Sequence, residues 1–323
     1  MRVGRALLLV VLALPACHRA RPPAPAVVYT EETFARKPIP SFSLAVRPDG
    51  APVETVIGKR RTYRIRQGDT LLDVARYHDL GYNEIVEANP GVDPWLPPVG
   101  ATVVLPTEWT LPCCTYEGMV LNIPEMRLYL YRREGARTLA VHTFPVGLGR
   151  DDRRTPRGTY RVRGKTVNPQ WNIPDSIRQE HIRERGDHRA FIRGGDPENP
   201  LGKYRFELTR PRYAIHGTNI PWGVGMLVSH GCARLYPEDM ERLFPLVSTG
   251  TRVEFTYQVA KVGRRGGQVF VEVHPDIYCY DRRLDRAAAR ALARAGVGVQ
   301  VDAKLLRAAT TGSHGMPYRV SRG

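Results

Sequence analysis

The chain has 323 residues, of which 42% are hydrophobic and 25% charged, and its 48 Lys and Arg against 32 Asp and Glu leave a net charge of +16. That length and apolar content allow a sizeable core and two domains. Beyond the N-terminus no apolar run is long enough to span a bilayer, so nothing in the body of the chain is expected to cross a membrane.

At the N-terminus, MRVGRALLLVVLALPACHRA has Arg2 and Arg5, an apolar run from Ala6 to Leu14 and small residues before Cys17, the layout of a secretory signal. LPAC at 14–17 resembles the lipobox of bacterial lipoproteins, which implies a signal peptide over 1–17, cleavage before Cys17 and lipid on its thiol. An ordinary secretory signal is the alternative. Either way the protein is exported. The resemblance, with His18 after the cysteine, implies the periplasmic side of the envelope and an outer-membrane anchor. The basic charge, which in a cytosolic chain would suggest nucleic acid, is then matched to anionic lipid headgroups and cell-wall carboxylates, or is a solvated surface, with no nucleic-acid partner.

Residues 18–60 are proline-rich and read as an extended linker. From Arg61 to about residue 107 the pattern is a short strand, a turn at Gly68-Asp69, a helix, a second helix near Glu84–Ala88, a turn at Asn89-Pro90-Gly91 and a closing strand. With YRIRQGDTLLDVA, ANP and PVGATVVLP, this βααβ order resembles the LysM module. The resemblance implies binding of peptidoglycan glycan strands, with Gly68, Asp69, Thr70 and Asn89 as candidate glycan-binding residues. Asp69 is expected to cap the first helix. The alternative is that Gly68, Asp69 and Asn89 only shape turns.

Residues 115–257 form a second module that is mainly β. MVLNIPEMRLYLYRREGARTLAVHTFPVGL alternates apolar and polar residues on both sides of Glu134-Gly135, as a hairpin does, and further strands follow in TPRGTYRVRGKTV and YRFELTRPRYAIHG. Between them Asn168–Pro200 reads as a long irregular segment, of the kind that is either functional or disordered. Its Trp171 is a candidate substrate contact.

His216 ends a strand and Cys232 follows sixteen residues later, preceded by Ser229, His230 and Gly231. Two neighbouring strand ends could bring imidazole and thiol together. A thiol with a pKa of about 8.5 needs a base or a positive field to act as a nucleophile at neutral pH, and His216 is the candidate base. The Gly231 and Cys232 amides are candidate oxyanion donors.

HGTN, then SHGCARLYPEDMERLF, together with VGLGRDDRRTPRGTYRV and NPLGKYRFEL, resemble the L,D-transpeptidase catalytic domain, a β-sandwich-like fold. The resemblance implies acyl transfer from a tetrapeptide stem of peptidoglycan. Cys232 is the nucleophile and His216 its base, while Ser229, His230 and Gly231 shape the oxyanion pocket. Gly217 stands where some members carry serine, so a backbone carbonyl would orient His216. Arg234 stands where others carry asparagine; its planar fork suits a substrate carboxylate, and an ion pair with Glu238 or Asp239 is the alternative. The chemistry calls for no metal and no cofactor. Zinc on His216, His230 and Cys232 is a rival without HxxxH or CxxC spacing to support it. Stem hydrolysis, with water resolving the thioester, and non-catalytic wall binding are the other readings.

The C-terminal extension, 258–323, shows strands and turns, then a basic alanine-rich helix over RRLDRAAARALARAG and a loosely ordered tail. Of the remaining cysteines, Cys279 is expected to pair with Cys113 or Cys114 in an oxidising compartment.

Overall fold

The computed structural model describes residues 28–281, 283–297, 301–312 and 314–322; the expected signal sequence and Cys17 lie outside them. Among the described residues no helix is long and apolar enough to cross a membrane. The fold is mainly β.

Its centre is a nine-stranded sheet in the spatial order Ser41–Ala45, Thr138–Pro145, Arg127–Arg133, Gly118–Asn122, Arg252–Thr256, Gly158–Val167, Tyr204–Leu208, Ala214–His216, Ala233–Arg234. The hairpin about Glu134-Gly135 forms, with Arg127–Arg133 antiparallel to Thr138–Pro145. Gly158–Val167 turns a corner. Its first half pairs with Arg252–Thr256, its second half with Tyr204–Leu208, and the register shifts between Val162 and Gly164. A strand that changes partners through a bulge folds the sheet over its own core, as sandwiches do at their corners. That core holds Leu128, Leu130, Phe144, Phe206, Ile215 and Ala233.

The central strands are covered on both faces. Leu128 and Leu130 face that core, whereas the alternate residues Tyr129 and Tyr131 join Ile65, Leu71, Val74, Ile85 and Val103 of the 61–105 module in a second one. The module is a strand Arg61–Arg64 paired with Thr102–Leu105, with helices Leu71–Tyr77 and Tyr82–Ala88 between them. Its Glu84 carboxylate is buried and accepts hydrogen bonds from Trp109 Nε1 at 2.9 Å and from Arg127 Nε and Nη2 at 2.9 and 2.8 Å. Tyr82 and Asn83 amides bond the carbonyls of Val224 and Gly225, at 3.1 and 3.3 Å. Module and sheet are thus one packed body, and the module braces the chain a few residues ahead of Cys232.

The expected linker is folded wherever it is described. Glu31–Ala35 is a helix capped by Thr30, Ser41–Ala45 is an edge strand on Thr138–Pro145, and Val56–Gly58 pairs with Glu108–Thr110. Proline content signals extension but not what the segment packs on, and here Phe34 and Lys37 are buried anchors. Lys37 Nζ sits 2.9 Å from Asp79, 2.9 Å from Asp239 and 3.3 Å from Glu238, all inaccessible to solvent or nearly so. Arg76 joins Glu238 to Glu31.

The tail, too, is ordered where it is described. Ala260–Arg265, Gln268–Val273 and Tyr318–Arg319 form a three-stranded sheet on which helix Leu284–Ala295 buries Ala288 and Leu292. Tyr278 returns to the main core and donates to the Gly149 carbonyl at 2.6 Å. Cys113, Cys114, Cys232 and Cys279 are free thiols, so the expected bridge from Cys279 is not formed. The Cys114 sulfur instead accepts from the Tyr116 amide, and burial pushes its thiol up to about 12.

Candidate active site

Strand register assembles the site. Arg205 is paired with His216 across one antiparallel pair, and His216 with Arg234 across the next, parallel one. Directly paired residues share a face, so the three side chains stand in a row with the imidazole between two guanidinium groups. Cys232, two residues before Arg234, borders the same cleft, which has a volume of about 1000 Å³.

His216 is buried, and its Nδ1 lies 2.7 Å from the Gly217 carbonyl oxygen. Facing a carbonyl, Nδ1 must be the donor, which leaves Nε2 as the basic nitrogen. Burial, then the positive charges of Arg234 and Arg205, push the ring pKa down to about 3, against the opposing pull of the Gly217 and Leu201 carbonyls. Burial also pushes the Cys232 thiol up, opposed by the Ala214 amide and by Arg234 and Arg205. Both shifts favour the uncharged forms. At rest the imidazole and the thiol are both neutral, and the Cys232 thiol donates to the Arg212 carbonyl at 3.7 Å.

Iodoacetamide alkylation of Cys232, followed on its own peptide by mass, is therefore expected to accelerate continuously as pH rises from about 6 to 9, because the thiolate is scarce until above the ordinary thiol range near 8.5. A rate already maximal at about pH 6 would mean a preformed thiolate–imidazolium pair.

The residues around the cysteine build a tight turn. Ser229 Oγ donates to the Cys232 carbonyl at 2.6 Å and accepts from the Gly231 amide at 3.0 Å. The Gly231 N–H, expected as an oxyanion donor, is engaged by Ser229 Oγ within the turn. Gly231 has φ +108°, and a Cβ there would lie 2.7 Å from Tyr213 Cε1, so only glycine fits. His230 does not join the His216 pair. Its Nε2 lies 3.4 Å from Glu180 Oε2 and 3.3 Å from Arg150 Nη2.

Glu180 belongs to the segment that borders the cleft. Segment 168–200, expected to be irregular, contains helix Asp175–Arg185 and a two-stranded pair, Trp171–Asn172 with Phe191–Ile192, around a small core of Ile173, Ile177 and Ile192. The helix, DSIRQEHIRER, buries only Ile177, so no apolar stripe announced it in the sequence. Trp171 lines the cleft from this segment, its ring 6.0 Å from that of His181.

Arg234 also lines the cleft. Among the described residues no carboxylate is within ion-pair distance of it, because Glu238 and Asp239 are taken by Arg76 and Lys37. This overturns the ion-pair alternative. Sequence reading missed Arg205, Arg150 and Glu180; the polar face of YRFEL was the only hint of Arg205.

In the small module, the cap of the first helix is Thr70, whose Oγ1 accepts from the Asp73 amide at 3.1 Å. Asp69, expected as the cap, is buried and instead accepts from the Arg66 amide at 2.6 Å and Tyr63 Oη at 3.0 Å. Asn89 is buried, with its amide spent on Ile85 and Val104. Gly68 is exposed at its turn with φ +88°. Asp69 and Asn89 thus fasten the scaffold and do not face solvent.

Comparison with known proteins agrees with this geometry. Residues 117–255 match the YkuD-type L,D-transpeptidase catalytic domain. The chain is 34% identical over 296 residues to the probable L,D-transpeptidase ErfK/SrfK of Salmonella typhimurium strain LT2, covering 87% of this chain and 93% of that protein. It is 37% identical over 223 residues to the probable L,D-transpeptidase YbiS of Escherichia coli K12, covering 68% of this chain and 71% of that one. To the probable L,D-transpeptidase YcfS of the same strain it is 34% identical over 225 residues, 68% and 69% of the two chains. The chain belongs to the L,D-transpeptidase family and is an enzyme of that type.

Proposed function

We propose that the protein transfers acyl groups between peptide stems of peptidoglycan through a thioester on Cys232, in crosslinking or remodelling of the cell wall. The observation that carries this reading is the neutral His216 held between two arginines beside Cys232 in one cleft. His216 Nε2 takes the thiol proton as sulfur attacks the carbonyl of the last peptide bond of a tetrapeptide stem. The same imidazolium then gives the proton to the leaving amine. The C–S bond has formed, the C–N bond has broken and D-alanine departs. An acceptor amine reverses the sequence and frees the thiol.

Gly217 orients the imidazole through its carbonyl, and Ser229 and Gly231 hold the turn that presents the sulfur. The small module would add affinity for glycan strands, as a LysM module does. With Asp69 and Asn89 buried, that contact falls to the backbone about Gly68 and to the loop carrying exposed Trp95 and Leu96. A lipid anchor on Cys17 would place the enzyme on the periplasmic face of the outer membrane.

Mixing the enzyme with tetrapeptide muropeptides and weighing the products tests the central claim. Loss of the terminal residue with a new crosslinked dimer is the expected result. Tripeptide product alone would make the enzyme a stem hydrolase, and unchanged substrate would refute the acyl-transfer reading.

A further inference from the structure

The C-terminal extension reaches back to the turn that carries Cys232. Tyr278 lies beyond residues 117–255, which match the catalytic domain, yet its side chain is buried in that domain's core. Its hydroxyl bonds one loop twice, donating to the Gly149 carbonyl at 2.6 Å and accepting from the Thr155 amide at 3.2 Å. Thr155 is itself buried, and its Oγ1 accepts from the Gly149 amide at 3.0 Å. The two ends of loop 149–155 are thus tied to each other and to the tyrosine. The tyrosine is held from its own side as well: its amide donates to Tyr257 Oη at 2.9 Å, and the Arg154 guanidinium lies 5.3 and 5.1 Å over the rings of Tyr278 and Tyr280.

That loop backs the cysteine turn. The Arg150 amide donates to the Ser229 carbonyl at 2.9 Å, and Ser229 Oγ in turn holds the Cys232 carbonyl. A Cβ on Gly149 would lie 2.9 Å from Gly231 Cα, and one on Gly231 would lie 3.4 and 3.5 Å from the Arg153 and Arg154 carbonyl oxygens. From the tyrosine hydroxyl to the cysteine the contacts run through backbone and short side chains, which pass a shift on where long flexible ones would absorb it. Tyr278 does not line the cleft, so it can act on the reaction only through this loop. We propose that Tyr278 is a positioning residue for the acyl transfer: its hydroxyl, supplied from outside the catalytic domain, sets where the turn presents the Cys232 sulfur to His216. The inference rests on the acyl-transfer reading above and assigns to the C-terminal extension a part in it.

The test compares wild type with Tyr278→Phe, which removes one oxygen and keeps the ring, and with Thr155→Val, Thr155→Ser and the Tyr278→Phe/Thr155→Val double variant. The first readout is single-turnover release of the terminal amino acid from a tetrapeptide stem at saturating enzyme, a first-order rate that does not depend on what fraction of the enzyme is folded. Tyr278→Phe is expected to lower it by about 10- to 100-fold, the scale of a small misplacement of a reacting group. The second readout is alkylation of Cys232 by iodoacetamide at about pH 9, which needs thiolate and access but no alignment with His216, and it should stay within about 3-fold of wild type. Thr155→Val cuts the same tie and should show the same split, the double variant should lose little more than the worse single one, and Thr155→Ser should regain most of the rate. A single-turnover rate for Tyr278→Phe within about 3-fold of wild type would overturn the proposal. So would alkylation that falls in step with acylation, or losses that multiply in the double variant, because the hydroxyl would then not be aligning the sulfur through this loop. Wild type that alkylates normally but releases no amino acid would instead sink the acyl-transfer reading.

Discussion

Cys232→Ala is expected to abolish turnover and covalent adduct formation while leaving the fold intact. The thioester needs the sulfur, and no neighbouring group can replace it; Ser229 Oγ is committed to the Cys232 carbonyl and the Gly231 amide. Losing one half-buried sulfur removes little apolar contact, about 1 kcal/mol, so the melting curve should nearly superimpose on that of wild type. Intact-protein mass after incubation with a donor stem, or with a carbapenem, shows whether the adduct forms. His216→Ala should retain the thiol but lower the rate by about 10²-fold or more, because the thiol then has no base. Acyl transfer by Cys232→Ala at any appreciable rate would remove this cysteine from the chemistry.

Lys37→Met is expected to cost about 3–5 kcal/mol, the scale for breaking a buried ion cluster by removing one partner. Lys37 is the ammonium among Asp79, Glu238 and Asp239, and it ties the N-terminal segment to the small module and to helix Pro237–Leu243, which follows the strand Ala233–Arg234. Without it the remaining carboxylates repel one another in a site closed to water. In a chain of this size the loss should lower the melting temperature by about 10 °C, far beyond removal of the exposed pair Arg47–Asp49, worth about 0–1 kcal/mol.

The pH dependence has a definite sign. Burial, then Asp79, already raises the Asp239 carboxyl well above the usual range, so its protonated form favours the folded state and that contribution is lost as pH rises through the folded value. Removing Lys37 strengthens this, and the deficit of the variant should shrink as pH is lowered from about 7 to 5. Calorimetry across that range checks it. A deficit that does not change with pH would mean the cluster is not what the lysine supports.

The sequence showed its chemistry where chemistry is local. Cys232 with Ser229, His230 and Gly231 is a contiguous turn, and His216 lies at the end of a strand whose alternation is visible. The β hairpins likewise follow from short-range alternation and turn residues. These features were legible because each is fixed by a few adjacent residues.

What the sequence could not convey depends on register and burial between distant segments. Arg205 flanks His216 only because Tyr204–Leu208 pairs with Ala214–His216 in one register out of several; a one-residue slip would turn it to the opposite face. The proline-rich segment became a helix and two strands because Phe34 and Lys37 found partners in the small module and in helix Pro237–Leu243, a gain invisible in composition. Asn89 and Asp69 looked like binding groups and proved to be internal fasteners, since a polar side chain in a turn reads the same whether it faces solvent or the chain's own backbone. Spacing along the chain therefore singled out the proposed nucleophile and its base. Only the folded sheet, by choosing which strands lie side by side, decided what charges surround them.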